Sequence, residues 1–142
     1  MDISALLQQD VVNFIPQRSP MVMLSRVISC NEKEVKTELD IRADNIFTEE
    51  GRFSESGMLE NIAQTAASSV GIYAKLNNQK VPIGFIGAIS KVNLMKNPKV
   101  GQVLKTEVET LQQVMNITLI SGKCFVEGEC CIECQMKIVI DP

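Results

Sequence analysis

Glu60 and Gln64 lie four residues apart in the segment SGMLENIAQTAASSVGIYAKL, which begins at Ser56. On a helix that spacing puts both side chains on one face, one turn apart. A carboxylate so placed can take or deliver a proton at a bound substrate, and a neighbouring carboxamide can hold it in position. The same pair can also be a satisfied polar contact at an interface. The surroundings sharpen the question. Ala63, Ala66, Ala67, Gly71 and Ala74 make the segment unusually small-sided, and a carboxylate on a nearly buried helix needs either a partner or a task.

Two further groups of residues invite a chemical reading. From Asn61 to Thr106 there is no acidic residue but there are six lysines, with Lys91, Lys96 and Lys99 close together. Such a region attracts an acidic partner or a phosphate, or is simply a solvated face. Cys130, Cys131 and Cys134 have the side chains of metal ligands but not the spacing. Neighbours on a strand face opposite ways, and Cys130 and Cys134 stand roughly 13 Å apart at ~3.3 Å per residue. They read as small core residues beside Ile132, Met136 and Ile138, and neither metal nor cofactor is expected. The chain has no histidine.

The elements that must position these residues follow from periodicity. Met58, Leu59, Ile62, Ala66, Val70 and Tyr73 recur at three- and four-residue steps, which predicts one long helix over Ser56–Leu76 with Ser54 or Ser56 as its cap. Its small residues let a curved sheet approach closely. Nearly everything else reads as strand. Asp2 caps a short helix over Ile3–Gln9, and the prolines at 16 and 20 break any helix between them. Met21–Cys30 reads as a strand, and Val35, Thr37, Leu39 and Ile41 alternate with charged residues as a strand with one wet face. Arg42–Phe53 reads as a polar loop. The run Ile83–Leu94 reads as a buried strand, and Val103–Leu111, Met115–Val126 and Cys130–Ile140 as further strands, the last two joined by a tight Glu127-Gly128 turn. The order implies a single α+β domain over residues 1–142, one long helix packed on an antiparallel sheet.

Composition excludes other classes. An apolar content of 45% supports a real core. No 18-residue apolar stretch is present, so no membrane span is expected, and the net charge of −3 gives no general case for nucleic acid. The N-terminus MDISALLQQD lacks the pattern of a signal peptide, so the five cysteines are expected to be reduced thiols in the cytoplasm.

Three motifs in order resemble the β-hydroxyacyl-acyl carrier protein dehydratases. They are Ile15-Pro16-Gln17-Arg18-Ser19-Pro20 with the following Arg26-Val27, Glu60-Asn61-Ile62-Ala63-Gln64, and Phe85-Ile86-Gly87-Ala88-Ile89-Ser90-Lys91-Val92 with its turn at Pro98 and Gly101. The resemblance spans about Ile3 to Ile140. It implies a hotdog fold, a long helix wrapped by a curved antiparallel sheet, and a dimer with sites at the interface. It further implies an acyl thioester of acyl carrier protein or coenzyme A as ligand, in fatty-acid or polyene-type acyl-chain biosynthesis.

The chain departs from the family where the chemistry is done. In the family a His-Phe-Pro element before the helix supplies an imidazole that works with the helix glutamate. Here Ile46 stands at the histidine position, followed by Phe47. What the resemblance leaves is a catalytic pair, Glu60 with Gln64, and a thioester-binding region around Ile46, Phe47, Ser56, Gly57 and Met58. There, backbone N–H groups at the helix start would face the carbonyl. Lys91, Lys96 and Lys99 would dock the carrier. The seven methionines read first as core filling, with Met21, Met23 and Met58 as candidates to line an acyl tunnel. Three functions remain open: a dehydratase with altered or lost chemistry, a thioesterase using Glu60, and a non-catalytic subunit of a heterodimeric dehydratase. The partner is then a second copy or a related hotdog chain.

Overall fold

The computed structural model describes residues 2–141. Helix α1 (Ile3–Leu6) is capped by Asp2, whose carboxylate accepts from the Ala5 N–H at 2.8 Å, and a 3-10 turn follows at Val11–Asn13. Then come β1 (Arg26–Cys30), β2 (Glu34–Asp40), β3 (Thr48–Glu49), β4 (Arg52–Phe53), the long helix α2 (Glu55–Leu76), β5 (Ile83–Leu94), β6 (Val103–Val114), β7 (Ile117–Val126) and β8 (Glu129–Asp141). Six strands form one antiparallel sheet in the order β1-β2-β6-β7-β8-β5, and β3 and β4 pair as a separate small hairpin.

Local sequence explains most of these elements. Ser54 caps α2 by accepting from the Gly57 N–H at 3.2 Å, and Glu55 sits in the first turn where a negative charge is favoured. Strand β2 buries Val35, Thr37 and Leu39 and turns its alternate residues outward. Glu127 and Gly128 both have positive φ, 51° and 80°, the conformation of a two-residue turn that matches strand twist.

Helix α2 lies on the sheet and is pressed close to it. A Cβ built on Gly122 of β7 would come within 2.4 Å of Ile62 Cγ2. The opposite flank is covered by the chain before β1, so closely that a Cβ on Gly71 would lie 1.8 Å from the Phe14 carbonyl oxygen. Met58, Ile62, Ala66 and Ile72 of α2 join Phe14, Phe53, Leu104, Ile120, Ile132 and Met136 in the core.

Several sequence expectations are corrected. Ile83–Leu94 is not buried. It is an edge strand paired only with β8, and Ile83, Phe85, Ile86, Ile89, Val92 and Leu94 are exposed. The apolar character is there, but nothing among the described residues covers it. Met21–Ser25 is irregular and the strand begins only at Arg26, because the backbone at Met21 and Met23 bonds to helix side chains instead of a neighbouring strand. The Arg42–Phe53 loop contains the β3–β4 hairpin, turned by Glu50 and Gly51 at φ 51° and 78°. Met115 belongs to the β6–β7 turn, with φ 56°. Cys130 is only half-buried. Phe125 pairs with Cys130 and Cys124 with Ile132, so Cys131 is an extra residue in β8 and takes the buried place.

Candidate functional site

The site is built where the irregular segment before β1 lies along α2. Gln64 is fully buried and all its polar atoms are engaged. Oε1 accepts from the Met23 N–H at 2.7 Å, while Nε2 donates to the Met21 carbonyl at 2.7 Å and to Glu60 Oε2 at 2.8 Å. With an N–H facing one end of the carboxamide and two acceptors facing the other, the amide cannot flip without losing all three bonds. Glu60 is thus held at one oxygen, and its side chain is half-buried at the wall of a groove of about 1060 Å³.

Behind this pair runs a buried polar row that the apolar periodicity of the helix does not reveal. Asn61 donates through Nδ2 to the Met23 carbonyl at 2.8 Å and accepts from the Thr106 hydroxyl on β6. Thr65 donates to the Asn61 carbonyl at 2.8 Å and shares a 2.8 Å hydrogen bond with Thr37 of β2. Ser68 bonds back to the Thr65 carbonyl at 2.7 Å. Together these bonds fix the register of α2 against the sheet and tie Met21–Met23 to the helix, and so fix where Gln64 holds Glu60. The signal for them in the sequence is the Asn61–Thr65 pair at helical spacing on a face otherwise filled by Ile and Ala.

The groove runs beside α2, walled by Glu60, Ala63, Ala67 and Val70 on the helix and by residues such as Ile120 and Ile138 on the sheet. The other expected site residues are placed differently. Ile46 is exposed, and Phe47 packs against Gly57, where a Cβ would lie 2.6 Å from Phe47 Cβ. At the helix start the Gly57 N–H donates to Ser54 Oγ at 3.2 Å, and Ser56 is exposed. Met58 is fully buried in the core, Met23 is buried with its sulfur 3.3 Å from Asn45 Nδ2, and neither they nor Met21 line the groove.

The lysines also divide. Lys96 is paired with Glu129 at 2.8 Å, which raises the lysine pKa and lowers that of the glutamate. None of Lys91, Lys96 and Lys99 lines the groove, whose lysines are Lys33 and Lys80. The cysteines are free thiols. Burial pushes Cys134 up to about 11 and Cys124 higher still, which makes both poor nucleophiles at neutral pH. Among the described residues no helix is long and apolar enough to cross a membrane.

A long helix wrapped by a curved antiparallel sheet, with a held carboxylate one turn into the helix, defines a dehydratase-like hotdog protein. The model of the ApeP-like family, described as ApeP dehydratase, matches residues 9–142, and the chain belongs to that family. It is similar to the "3-hydroxyacyl-[acyl-carrier-protein] dehydratase FabZ" of Oceanobacillus iheyensis, 28% identical over 138 residues, covering 93% of this chain and 96% of the relative. The FabZ of Staphylococcus saprophyticus is also 28% identical, with 92% of each chain covered. Among solved structures, "The Dehydratase Heterocomplex ApeI:P from Xenorhabdus doucetiae" superposes with a TM-score of 0.88 at 18% identity, over 94% of this chain and 92% of that one. A hypothetical thioesterase with coenzyme A from Streptococcus pneumoniae superposes with a TM-score of 0.65 at 12% identity, over 81% and 84%. These two likenesses speak to the fold.

Proposed function

We propose that this chain is one half of a two-chain dehydratase acting on 3-hydroxyacyl thioesters. It supplies Glu60, held by Gln64, to a shared site, and a histidine-bearing hotdog partner supplies the imidazole. The observation that carries the reading is a retained Glu60–Gln64 pair on an open groove in a chain with no histidine. Dehydration breaks the C–H bond next to the thioester carbonyl and the C–O bond one carbon further on. A base takes the first proton, the hydroxyl leaves as water after gaining one, and the electron pair of the C–H bond becomes the new C=C bond. An imidazole titrates in the range where it can both take and give a proton, and a single carboxylate is matched to only part of that work.

The uncovered edge supports a two-chain site. Phe85, Ile86 and Ile89 are exposed along β5, whose outer side has no neighbouring strand. An apolar free edge is a template for pairing with another chain. The relatives named as 3-hydroxyacyl-acyl-carrier-protein dehydratases support the acyl thioester as substrate, and the relative named as a dehydratase heterocomplex supports a related hotdog chain as partner. Five unpaired thiols fit a reducing cytoplasm.

The test measures dehydration of a 3-hydroxyacyl-carrier-protein thioester by this chain, by the histidine-bearing partner, and by their complex. Activity is expected in the complex and not in this chain alone. Glu60→Gln is expected to lower kcat of the complex by about 100-fold or more while the two chains still co-elute. A partner equally active alone, together with a Glu60→Gln complex of undiminished kcat, would refute the reading. Hydrolysis of the thioester by this chain alone would point instead to thioesterase chemistry.

A further inference from the structure

The polar side chains buried in the core answer one another. Thr37, Asn61, Gln64, Thr65, Ser68 and Thr106 each hold a hydrogen bond inside the chain. Gln17 Oε1 departs from that pattern. Among the described residues it is the only buried side-chain nitrogen or oxygen without a hydrogen-bond partner. A buried carbonyl oxygen without a donor is costly, and folded chains leave few of them unmet. The turn that carries it is fixed. Arg18 Nη1 donates to the carbonyls of Ile15 and Gln17, both at 2.7 Å, and Pro16 sets the backbone just before it. Gln64 cannot supply the donor, because its Nε2 already donates to the Met21 carbonyl and to Glu60.

The position of Gln17 follows from its neighbours. Phe14 abuts Gly71 and Met21 bonds to Gln64, so the segment runs antiparallel to α2 and Gln17 falls between those two points. Pro16 and Arg18, on either side of it, share a cleft with Lys75 and with Lys80 and Val81, which lead from α2 into β5. Gln17 itself lines the groove together with Gly84, Phe85 and Ile86 of β5. That strand is an edge, and Phe85 and Ile86 are exposed on it. A strand added to its outer side would stand about 4.8 Å beyond it, along the margin of the groove that Gln17 faces.

We propose that Gln17 is a contact for the partner chain: when a second hotdog chain pairs along β5, a donor group of that chain enters the margin of the groove and is accepted by Gln17 Oε1. The assignment rests on the two-chain reading. It adds what the partner must present, an N–H or O–H group beside its pairing strand and opposite Gln17. It also gives Gln17 a part in assembly and none in the chemistry at Glu60. The same oxygen is a penalty in the separate chain and a bond in the complex. Removing it therefore acts with opposite signs on the two states, whereas removing an ordinary packing residue harms both.

The test is Gln17→Met, which keeps an unbranched side chain of similar length and removes its polar atoms. Two quantities are read: the urea midpoint of the isolated chain, and the calorimetric Kd for the histidine-bearing hotdog partner. The midpoint is expected to equal or exceed the wild-type value, because an unmet polar group gives way to an apolar one. Kd is expected to rise about tenfold, as for one buried hydrogen bond lost across an interface. A lowered midpoint would mean that the oxygen is already answered within the chain, and an unchanged Kd that the partner does not reach it. Either overturns the proposal. A direct readout comes from glutamine labelled with carbon-13 at Cδ, in which the resonance absent from Gln17→Met belongs to Gln17. It is expected to move downfield when the partner is added, and no movement overturns the proposal. Movement with 3-hydroxybutyryl-pantetheine but not with the partner would assign the oxygen to a ligand. Weakened self-association in Gln17→Met, with Kd for the partner unchanged, would assign it to a second copy of this chain. Both outcomes overturn the partner contact. A wild-type chain that does not bind the partner at all removes the two-chain reading with it, whereas wild-type binding with an unchanged Kd in Gln17→Met removes this contact alone.

Discussion

Gln64→Glu exchanges one NH2 group for an oxygen in the most constrained side chain of the site. The wild-type amide accepts from the Met23 N–H and donates to the Met21 carbonyl and to Glu60 Oε2, at 2.7, 2.7 and 2.8 Å. A carboxylate keeps the first bond and sets oxygen against oxygen at the other two. Each lost donation removes about 1 kcal/mol, and a carbonyl left without a donor adds about 1–3 kcal/mol. A protonated carboxyl restores one of the two donations, so the introduced group holds its proton more tightly in the folded protein than a free glutamate does, above about 4.3. With the folded pKa raised, the contribution of the introduced group is fully present below about pH 4.3 and is lost as the pH rises through the folded pKa, by about 1.4 kcal/mol per pH unit crossed. Gln64 does not titrate, so the difference between variant and wild type reports the introduced carboxyl together with its coupling to Glu60. We expect a deficit of roughly 2 kcal/mol at pH 4 and roughly 4–5 kcal/mol at pH 8. Urea unfolding at a series of pH values measures it. A deficit that is the same at pH 4 and pH 8 would mean that the amide is not wedged between Glu60 and the Met21 carbonyl.

Three other outcomes follow from the packing. Gly71→Ala should lower the urea midpoint, because the new Cβ would lie 1.8 Å from the Phe14 carbonyl oxygen and no side-chain rotation relieves a backbone clash. The overpacking penalty of about 1–3 kcal/mol or more exceeds the gain of about 1 kcal/mol that alanine brings to a helix, and a raised midpoint would contradict the close approach. A thiol reagent at pH 8 should modify the half-buried Cys30 and Cys130 of the native protein well before Cys124 and Cys134, whose thiols are buried and pushed up, Cys134 to about 11. Peptide mapping that finds Cys124 or Cys134 labelled first would refute the core placement. The double variant Phe85→Lys/Ile89→Lys should leave the circular dichroism of the isolated chain unchanged yet abolish association with the partner, since both residues are exposed on the free β5 edge. Undiminished complex formation by light scattering would exclude β5 as the pairing edge.

Much of the fold is legible without coordinates because its rules are local. Ser54 and Glu55 announce the start of α2, the Glu127-Gly128 pair announces its hairpin, and the alternation from Val35 to Leu39 shows which face of β2 is buried. Periodicity misleads where the missing neighbour is not in the chain. The apolar run of β5 reads as core by composition, and only the sheet order shows that it is an edge. A bulge misleads in the same way, since the extra residue Cys131 shifts the burial of β8 by one place without any mark in the sequence.

For the site, the sequence by itself determined the chemical inventory: one carboxylate and one carboxamide a helical turn apart, a run of lysines without acids, and no histidine. The tertiary structure alone decided how that inventory is arranged. Gln64 reaches backbone groups 41 and 43 residues away, at Met23 and Met21. A backbone N–H or C=O is the same in every residue type, so nothing in the sequence names it as a partner. Likewise the cations that share a cleft, Arg18, Lys75 and Lys80, are scattered along the chain, while the closely spaced Lys91, Lys96 and Lys99 fall away from the groove. Proximity in sequence follows the chain, whereas a site is assembled by the packing of one element on another, and here that packing is the segment before β1 laid antiparallel along α2.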